Sequence, residues 1–313
     1  MAQLALIIGN GFDLDLGLPS KYSDFMDSPE WRNILSGVRS SYHDNELNHS
    51  LIWYLYKGAH DLNWFDIEVE IHNFIQEHPD CTENEVRHIR SDFDQLKKAL
   101  KDYLNRVTAN FKAAENKIAC RLIYHLTQCP LSMVEIYFNY TNAHIMLQRQ
   151  TYYNPGQCTF TYVHGSLREN DIVLGCDLSD NEEVNRSLSF MYKYNMLKRS
   201  NHVARHILEA KEVIFFGHSV NEMDFCYFRE FFRAASASPN PIRHLTFITY
   251  DDESERSIKD NIRNQGISVS DLYSNLWTFT FIHSSKIYKG DGNEQQKWNE
   301  LLQRVLARDR HGL

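Results

Sequence analysis

Short apolar runs ending on glycine, asparagine or histidine alternate along this chain with longer helix-period segments. That alternation constrains the fold more than any other feature. Leu4–Ile8, Val134–Tyr140, Thr159–His164, Ile172–Leu174, Val213–Gly217, Leu245–Tyr250 and Trp277–His283 read as strands. Helical patterns lie between them. In the clearest, Val86, Ile89, Phe93, Leu96, Leu100, Leu104, Val107 and Phe111 step by three and four along one face. A shorter helix is expected from about Asn63 to Ile75, and another stripe runs from Ile118 to Leu126. Further helical segments are expected over about 182–210, 221–235 and 294–307. Apolar strands alternating with helices predict an α/β, Rossmann-like fold with a mostly parallel open sheet. From about 45 to 129 the pattern is helical, with almost no glycine. Residues 1–25 and 130–313 are therefore expected to form the α/β core, with 26–129 a helical insertion after the first strand.

Composition narrows the partners. The net charge of −8 and a pI near 6.0 argue against broad contact with a phosphate backbone, which needs a basic face. The six cysteines form no C-x-x-C pair, which leaves no zinc-ribbon or thioredoxin-like signature and suits a reducing compartment. The first apolar run is too short for a signal peptide or a membrane span. A cytoplasmic protein that binds neither nucleic acid nor membrane is the expectation. No metal is expected: His202 and His206, four apart on a helical pattern, lack a third evident ligand and read as a surface pair.

Four polar motifs fall at strand ends. The first is Gly9-Asn10-Gly11-Phe12-Asp13 with Gly17-Leu18-Pro19 following. A glycine turn after a strand lets backbone approach a pyrophosphate. Leu14 stands where a G-x-G-x-x-G fingerprint needs glycine, so the common dinucleotide motif fails. Asp13 would be repelled by a pyrophosphate and suits a ribose hydroxyl or a helix cap. The second is Phe138-Asn139-Tyr140-Thr141-Asn142, whose asparagines could line a crevice or cap the next helix. The third is Tyr162-Val163-His164-Gly165-Ser166, where a histidine beside a glycine could serve as a general base. The fourth is Gly217-His218-Ser219-Val220-Asn221, either a loop over a nucleotide or a plain connection capped by Asn221. In one open sheet, all four would converge on the crevice at the strand carboxyl ends. Asp66 and Glu68 either reach that crevice from the helical insertion or lie on a solvated helix face.

The order of these motifs resembles the bacteriophage abortive infection AbiH family. Members typically begin with an apolar strand, G-N-G-F-D, a spacer and G-L-P, similar to Gly9–Pro19 here. Trp64-Phe65-Asp66-Ile67-Glu68 and Phe216-Gly217-His218-Ser219 look like that family too. The same segments resemble a diverged sirtuin domain, with its G-A-G-I-S, spacer and G-I-P, its N-I-D or N-Y-D, its catalytic H-G and its G-T-S. The matching stretches are Gly9–Asp13 with Gly17–Pro19, Asn139-Tyr140-Thr141, His164-Gly165 and Gly217-His218-Ser219, with Phe247–Tyr250 like the adenosine-side strand. The departures are Thr141 in place of the expected aspartate, Lys21-Tyr22 in place of Phe-Arg, and no four-cysteine zinc module. The resemblance implies a sirtuin-like NAD-binding protein that hydrolyses NAD in anti-phage defence rather than deacylating protein. Asn139 and His164 would be catalytic. Gly9, Asn10, Gly11, Phe12, Asp13, Pro19, Thr141, Gly165, Gly217, His218, Ser219 and Tyr250 would bind the nucleotide. A module that senses NAD or ADP-ribose without chemistry is the competing expectation. Self-association or a partner protein of a defence system is also expected on the resemblance.

Overall fold

The computed structural model describes residues 3–41, 47–61, 67–142, 147, 158–177, 183–197 and 202–307. They form two compact units: Met1–Leu18, Lys112–Val163 and Asn201–Leu313 make the first, and Pro19–Phe111 and His164–Ser200 the second.

The first unit is built on a sheet of six strands: β1 (Leu4–Ile8), β2 (Met133–Tyr137), β3 (Cys158–Tyr162), β4 (Glu212–Phe216), β5 (Asn240–Thr249) and β6 (Leu276–His283). Their spatial order is β3-β2-β1-β4-β5-β6, and every pairing is parallel. This is the doubly wound order of Rossmann-like folds, reversing direction between β1 and β4. Every residue of β1, β2 and β4 is buried, as expected of central parallel strands with both faces covered. On one face Phe215 of β4, Phe247 of β5 and Phe281 of β6 stack with ring centroids 4.6 and 5.0 Å apart. Phe231 and Phe232 of the helix Arg229–Ala237 join the same core. Burial of each such side chain contributes about 1.5–3 kcal/mol, so the sheet centre is the most strongly held part of this unit. A short helix, α1 (Asn10–Leu16), leaves β1 directly and ends at Gly17, whose φ of 94° only glycine adopts readily.

The second unit contains most of the glycine-poor region. Its main helices are α2 (Ile67–Glu77) and α3 (Glu83–Ala109). Thr82 starts α3 with a capping box: its hydroxyl accepts from the Glu85 amide, and the Glu85 carboxylate accepts from the Thr82 amide at 2.7 Å. The predicted stripe is the buried face, with Ile89, Phe93, Leu96, Leu100 and Leu104 all covered. The expected helix over Asn63–Ile75 is seen from Ile67; Trp64, Phe65 and Asp66 lie outside the described residues.

Two sequence expectations fail in this region. Ile172–Leu174 forms no strand; the run is too short to pair, and Val173 instead donates to the His164 carbonyl at 2.8 Å. The helical period over 182–210 does not give one helix. The described part holds a 3₁₀ turn at Ser189–Met191, a single turn at Lys193–Met196 and a helix at Val203–Glu209. His202, at φ 51°, breaks the helical path just before the last of these. Among the described residues, no helix is long and apolar enough to cross a membrane.

Candidate functional site at the strand carboxyl ends

In open α/β sheets ligands sit outside the strand carboxyl ends, at the point where strand order reverses. Here that point lies between β1 and β4, and each strand ends in a glycine turn. Gly9 donates to the Phe216 carbonyl at 3.0 Å, and Gly11 to the Gly217 carbonyl at 2.9 Å. The turns touch so closely that a Cβ on Gly11 would lie 2.6 Å from the Gly217 Cα. One on Gly217 would lie 2.4 Å from the Phe12 nitrogen. Gly217 also needs its glycine for a φ of 63°.

These hydrogen bonds redefine what the first motif offers. The amides of Gly9, Gly11 and Phe12 are all engaged by backbone carbonyls, the last by Gly9 itself. The glycines therefore supply close approach and a surface without side chains, rather than a ring of free N–H donors. The Phe12 ring is fully buried and packs edge-on against Phe216 at 5.0 Å, within the core. Asn10 is exposed at the start of α1.

The polar centre is Asp13, in the first turn of α1. It is completely buried, and the Thr141 hydroxyl donates to its Oδ2. Among the described residues its other oxygen, Oδ1, has no hydrogen-bond partner, and neither does either amide atom of the buried Asn139. Burial raises the Asp13 carboxyl from 3.8 to about 7, opposed by the Thr141 hydrogen bond and then by the Asn139 amide. The amide is close enough to favour the charged carboxylate but does not complete a hydrogen bond with it. Leaving a buried polar group unsatisfied costs about 1–3 kcal/mol, so three such atoms beside one carboxylate need an explanation. Asn142, just beyond, donates to the Tyr162 hydroxyl.

The loop after β4 is held in an unusual backbone conformation. Val220, a buried β-branched residue, sits at φ 52°, which strains its backbone. Its amide donates to His218 Nδ1 at 2.9 Å. That contact fixes the His218 proton on Nε2, which lies 3.5 Å from the Asp224 carboxylate. Phe138 and Phe228 pack on the ring edge-to-face at 4.4 and 5.1 Å. Both ring nitrogens face protein groups, so His218 braces the loop. Asn221 caps the following turn by accepting from the Asp224 amide, as the plainer reading expected. Ser219 is exposed, and its carbonyl accepts from Asn261. Tyr250, just after β5, is two-thirds exposed.

The remaining residues with expected roles belong to the second unit. His164 is buried, with its carbonyl accepting from Val173. Gly165, at φ 74°, lies so close to Asp171 that a Cβ would meet its carbonyl oxygen at 2.0 Å. Pro19 is exposed, and its carbonyl accepts from the Tyr103 hydroxyl at 2.7 Å. Glu68 ion-pairs with the buried Lys193 at 2.8 Å, which replaces the solvated helix face with an interior pair. Sequence reasoning found Asp13 and Thr141 separately but not their hydrogen bond, and it gave no sign of the Val220 strain.

A model of the bacteriophage abortive infection AbiH family matches residues 5–243. No curated protein matches the chain.

Proposed function

Because the chain belongs to the AbiH family of bacteriophage abortive infection proteins, we propose that it is an NAD hydrolase acting in anti-phage defence, with its nucleotide held at the β1/β4 switch point. The observation that carries this reading is the cluster of unsatisfied atoms there: Asp13 Oδ1 and both amide atoms of Asn139. A ribose offers paired hydroxyls that donate and accept. Such groups would satisfy a carboxylate and an amide at once.

The sequence departs from the sirtuin pattern in both motifs. In G-A-G-I-S and N-I-D the hydroxyl belongs to the first motif and the carboxylate to the second. Here Asp13 stands in the first and Thr141 in the second, and the two are hydrogen-bonded.

The reaction would break the bond between C1′ of the ribose and the nicotinamide nitrogen. The bonding electrons leave with nicotinamide, water attacks C1′ and loses a proton, and ADP-ribose results. Nicotinamide departs readily once oriented, so the protein's task is positioning. Asp13 and Asn139 would hold the ribose hydroxyls and the water. His164 enters on the resemblance as the general base, a role typically worth about 10²–10⁴-fold. Incubation of the purified chain with NAD, following nicotinamide by chromatography, tests this. Release by the wild type but not by His164→Ala or Asn139→Ala is expected. Saturable NAD binding with the nucleotide left intact would replace hydrolysis by sensing, and neither binding nor release would overturn both readings.

A further inference from the structure

A second group of side chains lies at the carboxyl end of β6. His283, the last residue of that strand, is 3% exposed. It faces the start of α4 (Asp252–Asn264) on one side and the start of α5 (Gly292–Leu306) on the other. Glu294 of α5 grips it twice, accepting from the His283 backbone amide at 2.8 Å and lying 3.2 Å from ring Nδ1. A carboxylate only accepts, so this contact places a proton on Nδ1. Nε2 points the other way, 2.8 Å from Glu255 Oε2 and 3.8 Å from Asp252 Oδ1. A neutral ring would there turn a lone pair on two carboxylates, which is repulsive. Among the described residues Nε2 completes no hydrogen bond, although Glu255 lies within ion-pair distance of it.

We infer that Asp252, Glu255 and His283 bind a first-row divalent cation such as Zn²⁺ or Mn²⁺. One ligand atom from each residue falls within 4.8 Å of the others. Ligand atoms around a cation at about 2.1 Å are separated by about 3.0–3.4 Å, so small side-chain adjustments close the site. One imidazole and two carboxylates suit this class of ion. Glu294 takes the part of the carboxylate that orients a metal-binding histidine and fixes its tautomer. Three lysines border the group: Lys286 on Asp252 at 2.6 Å, Lys297 on Glu294 at 2.7 Å and Lys259 on Glu255 at 2.5 Å. Lys286 holds the same Asp252 oxygen that would ligate, so it competes with the cation. The ion would pin the end of β6 to the start of α4.

The test is titration of the chelator-stripped full chain with Zn²⁺ alone by calorimetry, with Co²⁺ absorption reporting the ligand field. One equivalent should bind saturably. Asp252→Asn and Glu255→Gln should each weaken binding by about tenfold or more, and Glu294→Gln by about 10–100-fold through the ring orientation. Lys286→Ala should tighten binding by freeing Asp252. Asp252 and Lys286 are surface residues, so those two variants test the site even if His283→Ala fails to fold. Absence of stoichiometric binding, or binding that none of these substitutions changes, overturns the site.

Discussion

Asp13→Asn is the most informative single substitution, because it keeps shape and the Thr141 contact while removing the charge. The wild-type carboxyl is raised from 3.8 to about 7 by complete burial. A raised carboxyl favours the protonated form in the folded state. Its contribution is therefore fully present below about pH 4 and is lost as pH climbs toward 7. Each pH unit between those two values corresponds to about 1.36 kcal/mol. The wild type should thus lose about 4 kcal/mol from this residue between pH 4 and 7, and nothing further above that. The amide that replaces the carboxyl does not titrate. Chemical denaturation followed by far-UV circular dichroism should show the variant gaining on the wild type by about 1.4 kcal/mol per pH unit over that window. The gap should then stay constant into the alkaline range. A difference that does not change with pH would refute the reasoning, as would a variant that is less stable at every pH above 7.

Two other substitutions follow from the same structure. Gly217→Ala should destabilise the sheet unit by more than the about 1–2 kcal/mol of a left-handed alanine, because its Cβ would also strike the Gly11 turn. Gly17→Ala has open space around the Cβ and should cost only the conformational amount in the same denaturation assay. Lys193→Met should destabilise the second unit by removing the buried ammonium that pairs with the part-buried Glu68. Lys193→Met combined with Glu68→Leu should recover most of that loss, and a double-mutant cycle checks it.

The parallel sheet was legible because fully buried strands are near-continuous apolar runs, as in β1, β2 and β4. β3 carries no such run: its Thr159 and Phe160 are exposed, and its position rested on the run toward His164. The reversal between β1 and β4 is a property of pairing order that no local pattern encodes. Ile172–Leu174 misled because three apolar residues in a row look alike in a strand and in a buried loop. The 182–210 period misled because the helical path breaks before Val203, where His202 adopts a left-handed turn that sequence spacing does not show. Asp13 was readable as a polar residue in the right place. Its unpaired oxygen and its hydroxyl partner depend on contacts 128 residues apart in sequence. The carboxylates around His283 come from α4 and α5 and the ring from β6, so a scan along the chain groups only Asp252 with Glu255.

The central claim is that Asp13 and Asn139 hold the ribose of a bound dinucleotide. ADP-ribose tests it directly, since it lacks the nicotinamide and its binding is independent of turnover. Calorimetric titration should show saturable one-to-one binding to the wild type. Binding should weaken by at least about tenfold, or about 1.4 kcal/mol, in Asn139→Ala, a variant that stays folded because it removes an unsatisfied amide. Absence of binding to the wild type, or equal affinity in both proteins, would contradict the account.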